Sequence, residues 1–411
     1  MRCVIITQWY PPEQAPIGYM MRELAQSLIM RGHKVTVITG FPNHPSGEVF
    51  TGYRKRWRLR ERVDGINVWR MYLATSPCRS KFNRVLTFLS FTLSSAWALL
   101  VHPRCELVFA VFQPLTVGVI LPLIARLKNA KLVLNVQDLH PDAQIELGLI
   151  RNPLLVRLLR AVECFGYRRA DGLAVICEYF RDHCLARGAQ DNNVSVIPNW
   201  VDVDEIKPGN RVNAFRAEIG LSSEHVVVLY AGTIGLVSGA EVVVDAAVFL
   251  EKEQPSIRFV FVGEGALVTK LQTRVNRDGL TNIFFVPFQP RARLAEVQAI
   301  ADISLVTLGK GQGRTSVPSK LLGYMAAGRP VIAVVDGDSE TARFVRAVGC
   351  GEVINPGDWE SLARVIANWA DHANLRARLG NAGRLHLEQQ YQKEIITDQY
   401  LQFFERVVAG K

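Results

Sequence analysis

The chain has 411 residues, 49% of them hydrophobic and 21% charged, with a formal net charge of +10. That length exceeds what one core accommodates, so two domains are expected, and the apolar content excludes an intrinsically disordered chain. The positive balance fits nucleic acid, an anionic membrane face or phosphorylated substrates; zinc-finger spacing, a basic region with heptads and RNP-type aromatics are all missing, so nucleic acid is not expected as a partner.

In chain order, Cys3–Thr7 is too short an apolar run for a signal peptide and reads as a first strand. Ile17, Met20, Met21, Leu24, Ala25, Leu28 and Ile29 recur at helical spacing, Gly32 ends that helix, and Val35–Thr39 is the next strand. His33 reads as structural, since it lies at the wrong end of that strand for chemistry. Arg54–Arg60, basic with Trp57 interleaved, reads as a loop. Val85–Val101 is apolar with only hydroxyl interruptions and is near the lower limit of a membrane span. Arg79, Lys81, Arg84 and Arg104 flank it. Its place in an alternating pattern favours a buried domain helix; the other reading rests the basic loop and one helix end on an anionic inner leaflet. Strands follow at Leu107–Phe112 and Lys131–Val136, around a helix at Leu115–Leu127; then come a helix at Arg151–Arg169 and strands at Gly172–Ile176 and Ser195–Ile197.

After a polar stretch at Asp202–Asn210 the alternation resumes. Strands are predicted at His225–Ala231, Arg258–Val262, Ile283–Val286, Asp302–Val306 and Val331–Val335, with late helices at Asp358–Asp371, Asn374–Gln390 and Glu394–Val408. This pattern predicts an α/β protein of two doubly wound, Rossmann-like domains facing across a cleft, with the junction near Trp200–Pro208.

Residues 314–334 carry the most chemistry. A basic, hydroxyl-rich loop from Arg314 to Lys320 feeds a short helix predicted from Pro318 to Gly328, and a strand follows. Loop, helix start and cations together suit a diphosphate; an ordinary loop–helix–strand unit with surface charge reads equally well from these residues. The seven cysteines show no Cys-x-x-Cys or Cys/His metal spacing, and Cys177, His183 and Cys184 read as packing on one helix. Reduced thiols in a cytosolic enzyme are expected. Asp202-Val203-Asp204 and Asp336-Gly337-Asp338 read as chance carboxylates, and no metal site is predicted.

Seven motifs in order then identify a family: Tyr10-Pro11-Pro12-Glu13 with Gly18; Arg31 to Val37; Gln137-Asp138-Leu139-His140-Pro141-Asp142; Ile197 to Asp202; Tyr230-Ala231-Gly232-Thr233; Val262-Gly263-Glu264-Gly265; and Pro318-Ser319-Lys320 through Pro330-Val331. Together they resemble the retaining glycosyltransferases of family 4, with GT-B architecture. Among these the chain looks most like bacterial enzymes building O-antigen, colanic-acid and other exopolysaccharide units. The resemblance spans essentially the whole chain.

It implies an acceptor-binding domain at 1–201, a nucleotide-sugar-binding domain at 202–390, and a C-terminal helix, 391–411, returning to the first domain. Asp138 and His140 would orient the acceptor hydroxyl and take its proton, although Asp138 also reads as a structural cap of the helix after residue 142, and Lys320 would stabilise the leaving diphosphate. Gly18, Gly232, Thr233, Gly263, Arg314, Pro318, Ser319 and Glu340 would bind the nucleotide sugar. The 262–265 segment also reads as an ordinary strand–helix turn. Two departures stand out. Thr233 and Ser238 occupy places where many members carry Arg and Lys, and Thr315 and Gly323 occupy those of the family's paired glutamates.

The implied reaction moves a sugar, with retention, from a nucleotide diphosphate donor (a UDP-sugar) to a polyprenyl-diphosphate-linked acceptor, without cofactor or metal. Arg54–Arg60 and the 85–101 helix would touch an anionic membrane, making the enzyme cytoplasmic and peripheral on the inner face of the plasma membrane. The rival readings are a nucleotide-sugar 2-epimerase and a non-catalytic nucleotide-sugar-binding subunit.

Overall fold

The computed structural model describes residues 1–54, 56–77, 80–314 and 317–410, with Lys81 and Arg314 described by backbone alone. Two compact units emerge: Met1–Asn199 with Glu394–Lys411, and Trp200–Lys393.

The first unit runs β1 (Arg2–Ile6), α1 (Pro16–Met30), β2 (Lys34–Gly40), β3 (Arg58–Val63), β4 (Ile66–Met71), α2 (Lys81–Val101), β5 (Leu107–Val111), α3 (Val117–Leu127), β6 (Lys131–Val136), α4 (Asp142–Glu146), α5 (Pro153–Arg169), β7 (Gly172–Val175), α6 (Glu178–Ala186) and β8 (Val194–Val196). Its eight-stranded sheet has the order β3-β4-β2-β1-β5-β6-β7-β8, all parallel except the β3–β4 pair. Strands β1 and β5 are almost wholly buried apolar runs, as a parallel sheet covered on both faces requires.

The second unit runs α7 (Ala214–Glu218), β9 (Val226–Ala231), α8 (Glu241–Glu253), β10 (Ile257–Val262), α9 (Val268–Asp278), β11 (Ile283–Val286), α10 (Leu294–Ala299), β12 (Ile303–Thr307), α11 (Lys320–Ala326), β13 (Val331–Val334), α12 (Glu340–Val348), β14 (Gly351–Ile354), α13 (Trp359–Asp371) and α14 (Ala373–Gln390). The sheet order is β11-β10-β9-β12-β13-β14, all parallel. The chain then enters α15 (Lys393–Ala409). There Tyr400 and Phe404 pack on Phe109 of β5, and Phe403 lies close to Gly172 of β7. The predicted α/β class, doubly wound sheets and returning C-terminal helix are all present.

Three expectations need correction. Arg58–Arg60 are not loop: they open β3, an edge strand paired antiparallel with β4 through the turn at Asp64-Gly65. Both turn residues have positive φ, 50° and 80°, the primed geometry that an Asp-Gly pair favours. The 85–101 helix starts earlier, at Lys81, where the Ser80 hydroxyl accepts from the Asn83 N–H, and it is not buried all round. Only its inner face is covered; Leu93 is 61% exposed and Phe91 is 0% exposed. Finally, β14 is a sixth strand that the sequence pattern did not suggest, because Gly351-Glu352 interrupts its apolar character.

Candidate functional site

In the second unit the carboxyl ends of β9 and β10 meet at two glycines. Strand β9 ends at Ala231 and β10 at Val262, and both chains continue with a glycine at positive φ, Gly232 at 138° and Gly263 at 147°. The Gly232 N–H donates to the Val262 carbonyl at 2.8 Å. A β-carbon on Gly263 would collide with the Gly232 carbonyl oxygen, so the two turns approach as closely as backbone allows. The Ile234 N–H then donates to the Glu264 carbonyl, tying the turns a second time. This contact explains glycine at 263, and at 232 the φ of 138° does.

Lys320 leans over this junction from the first residue of α11. Its Nζ lies 3.3 Å from the centre of the Tyr230 ring, the last full aromatic of β9. Its Cε and Nζ would lie 3.2 and 3.4 Å from a β-carbon placed on Gly232. Burial lowers the ammonium from 10.5 to about 7. Among the described residues no carboxylate pairs with it, and burial alone accounts for the shift. Among the described residues the Tyr230 ring face is what meets this desolvated cation, and an anion would supply a stronger interaction.

Two tyrosines rigidify the surroundings. The Tyr324 hydroxyl, fully buried on α11, accepts from the Ala231 N–H at 2.7 Å and donates to the Ala231 carbonyl at 3.3 Å. The Tyr230 hydroxyl donates to the Thr233 carbonyl at 2.8 Å. Thr233 itself is exposed, while Ser238 is buried and its hydroxyl donates to the Gly235 carbonyl. Sequence reasoning named the motif around Tyr230 without giving its ring a role, and it missed Tyr324. A tyrosine on the buried side of a short apolar helix was the available signal.

The remaining predicted donor residues fall as follows. Pro318 and Ser319 precede α11, which begins at Lys320 and not at Pro318, and the Pro318 carbonyl accepts from the Leu321 N–H. With only seven residues, α11 contributes little dipole, so the charge at this place is that of Lys320. Glu340 opens α12, and its carboxylate pairs with Arg343 at 2.6 Å. Thr315 and the Arg314 side chain lie outside the described residues. Gly323 is buried, and a β-carbon there would come within 2.5 Å of Nε2 at the end of the Gln298 side chain, which must swing aside for any larger residue.

The Asp-x-Asp carboxylates are engaged in structure. Asp202 accepts from the Asp204 and Glu205 N–H groups and pairs with Lys393 at 2.7 Å, and Asp336 accepts from the Gly311 N–H at 2.8 Å. Among the described residues no group of three or more His, Cys, Asp or Glu is placed to hold a metal ion.

In the first unit, Asp138 and His140 follow β6 at its carboxyl end. His140 Nδ1 lies 2.7 Å from Gln144 Nε2, and its Nε2 is buried without a hydrogen-bond partner among the described residues. Behind this loop runs a polar chain that sequence reasoning did not find. Buried Asn135 donates to the Tyr400 hydroxyl at 2.9 Å and accepts from Gln137, and Gln137 exchanges two hydrogen bonds with Asn199. The C-terminal helix thereby fixes the exit of β6. On the other side Asp142 accepts from Arg160 and Arg187, and Arg187 with His183 closes on fully buried Glu163. His183 is thus a partner of Glu163.

Gly18 and Glu13 are explained by the turn after β1. A β-carbon on Gly18 would meet the Trp9 carbonyl oxygen at 3.0 Å. Glu13 is buried and accepts from the backbone N–H groups of Tyr10, Asn43 and His44, joining the loops after β1 and β2. Desolvation raises its carboxyl from 4.5 to about 7 despite those three donors.

Two doubly wound α/β units, the second with a buried lysine at a strand end, are the architecture of the GT-B class. Residues 17–200 match the glycosyl transferase 4-like domain and residues 212–386 match the glycosyl transferases group 1 domain, and the chain belongs to this glycosyltransferase family. It is 28% identical over 400 residues to WcaI of Escherichia coli, named as a colanic acid biosynthesis glycosyl transferase, covering 95% of this chain and 97% of that one. It is 28% identical over 298 residues to the glycosyltransferase WbjE of Pseudomonas aeruginosa, covering 72% and 74%. Among solved structures it resembles a sucrose-phosphate synthase from Thermosynechococcus elongatus, with a TM-score of 0.78, 18% identity and full coverage of both chains. It also resembles HepE of Anabaena in complex with UDP-glucose, with a TM-score of 0.73, 15% identity and coverage of 98% and 99%. The chain is an enzyme of polysaccharide biosynthesis that transfers a glycosyl group.

Proposed function

We propose that the protein moves a sugar from a UDP-sugar to a polyprenyl-diphosphate-linked acceptor, with retention of anomeric configuration, on the cytoplasmic face of the plasma membrane. The observation that carries this reading is Lys320, a desolvated cation without a carboxylate partner among the described residues, at the carboxyl end of β9. Open parallel sheets bind ligands outside the carboxyl ends of their strands. A diphosphate at Gly232 would restore the charge of Lys320, and the negative charge growing on the departing diphosphate is where such a cation acts most strongly. The binding of UDP-glucose by HepE, a protein of like fold, supports the donor class.

In this reading the second unit holds the donor through Gly232, Thr233, Gly263, Pro318, Ser319, Lys320 and Glu340, and the assignment of Arg314 and Gly18 to the donor rests on the motif resemblance alone. Asp138 and His140 serve the acceptor. His140 Nε2 is buried and unpartnered among the described residues, so reaching a hydroxyl requires the loop around it to open. The departing diphosphate takes the acceptor proton on the same face, so neither a metal nor an organic cofactor is required. The lipid-linked acceptor accords with the relatives' polysaccharide roles, and membrane contact through Arg54–Arg60 and the 85–101 helix belongs to the same reading.

The test incubates the purified chain with single nucleotide sugars and a membrane extract, with mass detection of the lengthened lipid. One donor should lengthen one lipid by one sugar. Incubation with donor alone should give no isomerised nucleotide sugar; such a product, or no lengthened lipid from any donor, would overturn the proposal.

A further inference from the structure

At the amino-terminal rim of the first unit's sheet, four segments enclose an open cavity of about 360 Å³: the starts of β1 and β2, the β3–β4 turn, and the connection from α2 to β5. That volume falls at the low end of small-molecule sites. Arg2 and Lys34 are register partners on β1 and β2. Lys34 and Thr36 share one face of β2, Asn67 of β4 is the partner of Thr36, and Arg62 of β3 is the partner of Asn67. This face therefore carries cations on β1, β2 and β3 with a hydroxyl and an amide between them. Arg104, from the α2–β5 connection, also lines the cavity.

Like charges at matched positions on neighbouring strands are unfavourable unless an opposite charge joins them. The protein supplies little of it. Glu106 accepts from the Arg2 N–H at 2.6 Å and lies 3.8 Å from its guanidinium, and Glu405 of α15 acts on His33 at the rim. Asp64, in the β3–β4 turn, pairs with Arg22 at 3.4 Å. Lys34, Arg62 and Arg104 have no ion-pair partner among the described residues. Elsewhere the chain neutralises its basic clusters: Arg211, Arg216 and Arg376 gather on buried Asp302. His33 and His102 line the same cavity, and burial holds both below their ordinary range, so its charge is that of the lysine and the arginines.

Cations reaching one cavity from separate segments suit an anion with several oxygens and more than one charge, which a phosphate group has and a carboxylate lacks. We infer that this cavity binds a phosphate-bearing small molecule, with Arg2, Lys34, Arg62 and Arg104 around the phosphate and Thr36 and Asn67 offering hydrogen bonds. Doubly wound sheets hold their substrates outside the carboxyl ends of the strands, where Asp138 and His140 follow β6. An occupant of the amino-terminal rim is thus an effector and not a substrate, and its binding is independent of the proposed reaction.

The experiment titrates the full chain with sodium diphosphate in excess UDP, followed by calorimetry and by backbone hydrogen exchange of residues 62–67 and 102–106. The parent should bind one diphosphate and exchange more slowly in both segments. Arg62→Gln with Arg104→Gln, changed only at exposed positions, should bind diphosphate roughly tenfold or more weakly, without a fall in melting temperature. A parent without slowed exchange in these segments would overturn the inference, as would a variant that binds diphosphate as the parent does. A second arm replaces diphosphate with phosphatidylglycerol vesicles. Protection by vesicles alone would mean a lipid headgroup, and would likewise overturn the soluble ligand. Absent UDP binding with diphosphate protection intact would sink the donor reading and leave this site standing.

Discussion

The ammonium of Lys320 stands 3.3 Å above the Tyr230 ring, with Gly232 alongside. The ring offers the cation a weak partner in the free protein, and a diphosphate a much stronger one. Replacing Lys320 by Met keeps the stem that lies on Tyr230 and deletes the charge. The proposed role predicts a fall in turnover of roughly 10²–10³-fold, measured by donor consumption in the presence of acceptor.

The same substitution should stabilise the free protein. Lys320 titrates near 7 when folded and at 10.5 in its ordinary environment. Between those values the unfolded chain binds the extra proton, so stability from this group rises with pH across the window and is lowest below pH 7. Lys320→Met should therefore raise Tm by roughly 2–4 °C at pH 6 and leave it nearly unchanged at pH 10. Thermal unfolding at the two pH values reads the difference directly.

Gly263→Ala should be poorly tolerated. It combines a φ of 147° with a collision between the new methyl and the Gly232 carbonyl. A loss of roughly 2–4 kcal/mol is expected in urea unfolding. Gly323→Glu, which would place a carboxylate where the family carries one, should also destabilise by about 2 kcal/mol or more, because Gly323 is buried and the new carboxylate would be desolvated.

Glu163 is the hub of a buried cluster in the first unit, bonded to His183 at 2.8 Å and paired with Arg187 at 3.3 Å. Glu163→Ala leaves both partners facing a void. It should cost about 3–5 kcal/mol by denaturant unfolding. Tyr400→Phe removes one hydroxyl from Asn135 and should cost only about 1–2 kcal/mol.

Much of the fold was legible because parallel strands are short apolar runs between helical patterns. The strand read at Cys3–Thr7 is β1 (Arg2–Ile6), and that at Lys131–Val136 is β6. The β3–β4 hairpin was not seen, because the arginines of Arg58–Val63 suggested a solvated loop. The Asp64-Gly65 pair between alternating residues was the unused clue. The outward leucines of α2 were equally hidden, since hydropathy reports how apolar a helix is and not which neighbours cover it. For the candidate site, strand-end motifs located Lys320 and Gly232. The Tyr230 ring and the Asn135–Tyr400 bond depend on contacts between distant residues, which no local pattern encodes.

The most direct test of the Lys320–diphosphate pairing is calorimetry of UDP binding at pH 8.5 in buffers of different ionisation enthalpy. At that pH Lys320, lowered to about 7, is mostly neutral in the free protein. The account predicts uptake of about one proton on binding by the parent, and none by Lys320→Met, which should also bind UDP more weakly. Equal proton uptake and equal affinity in the two proteins would contradict it.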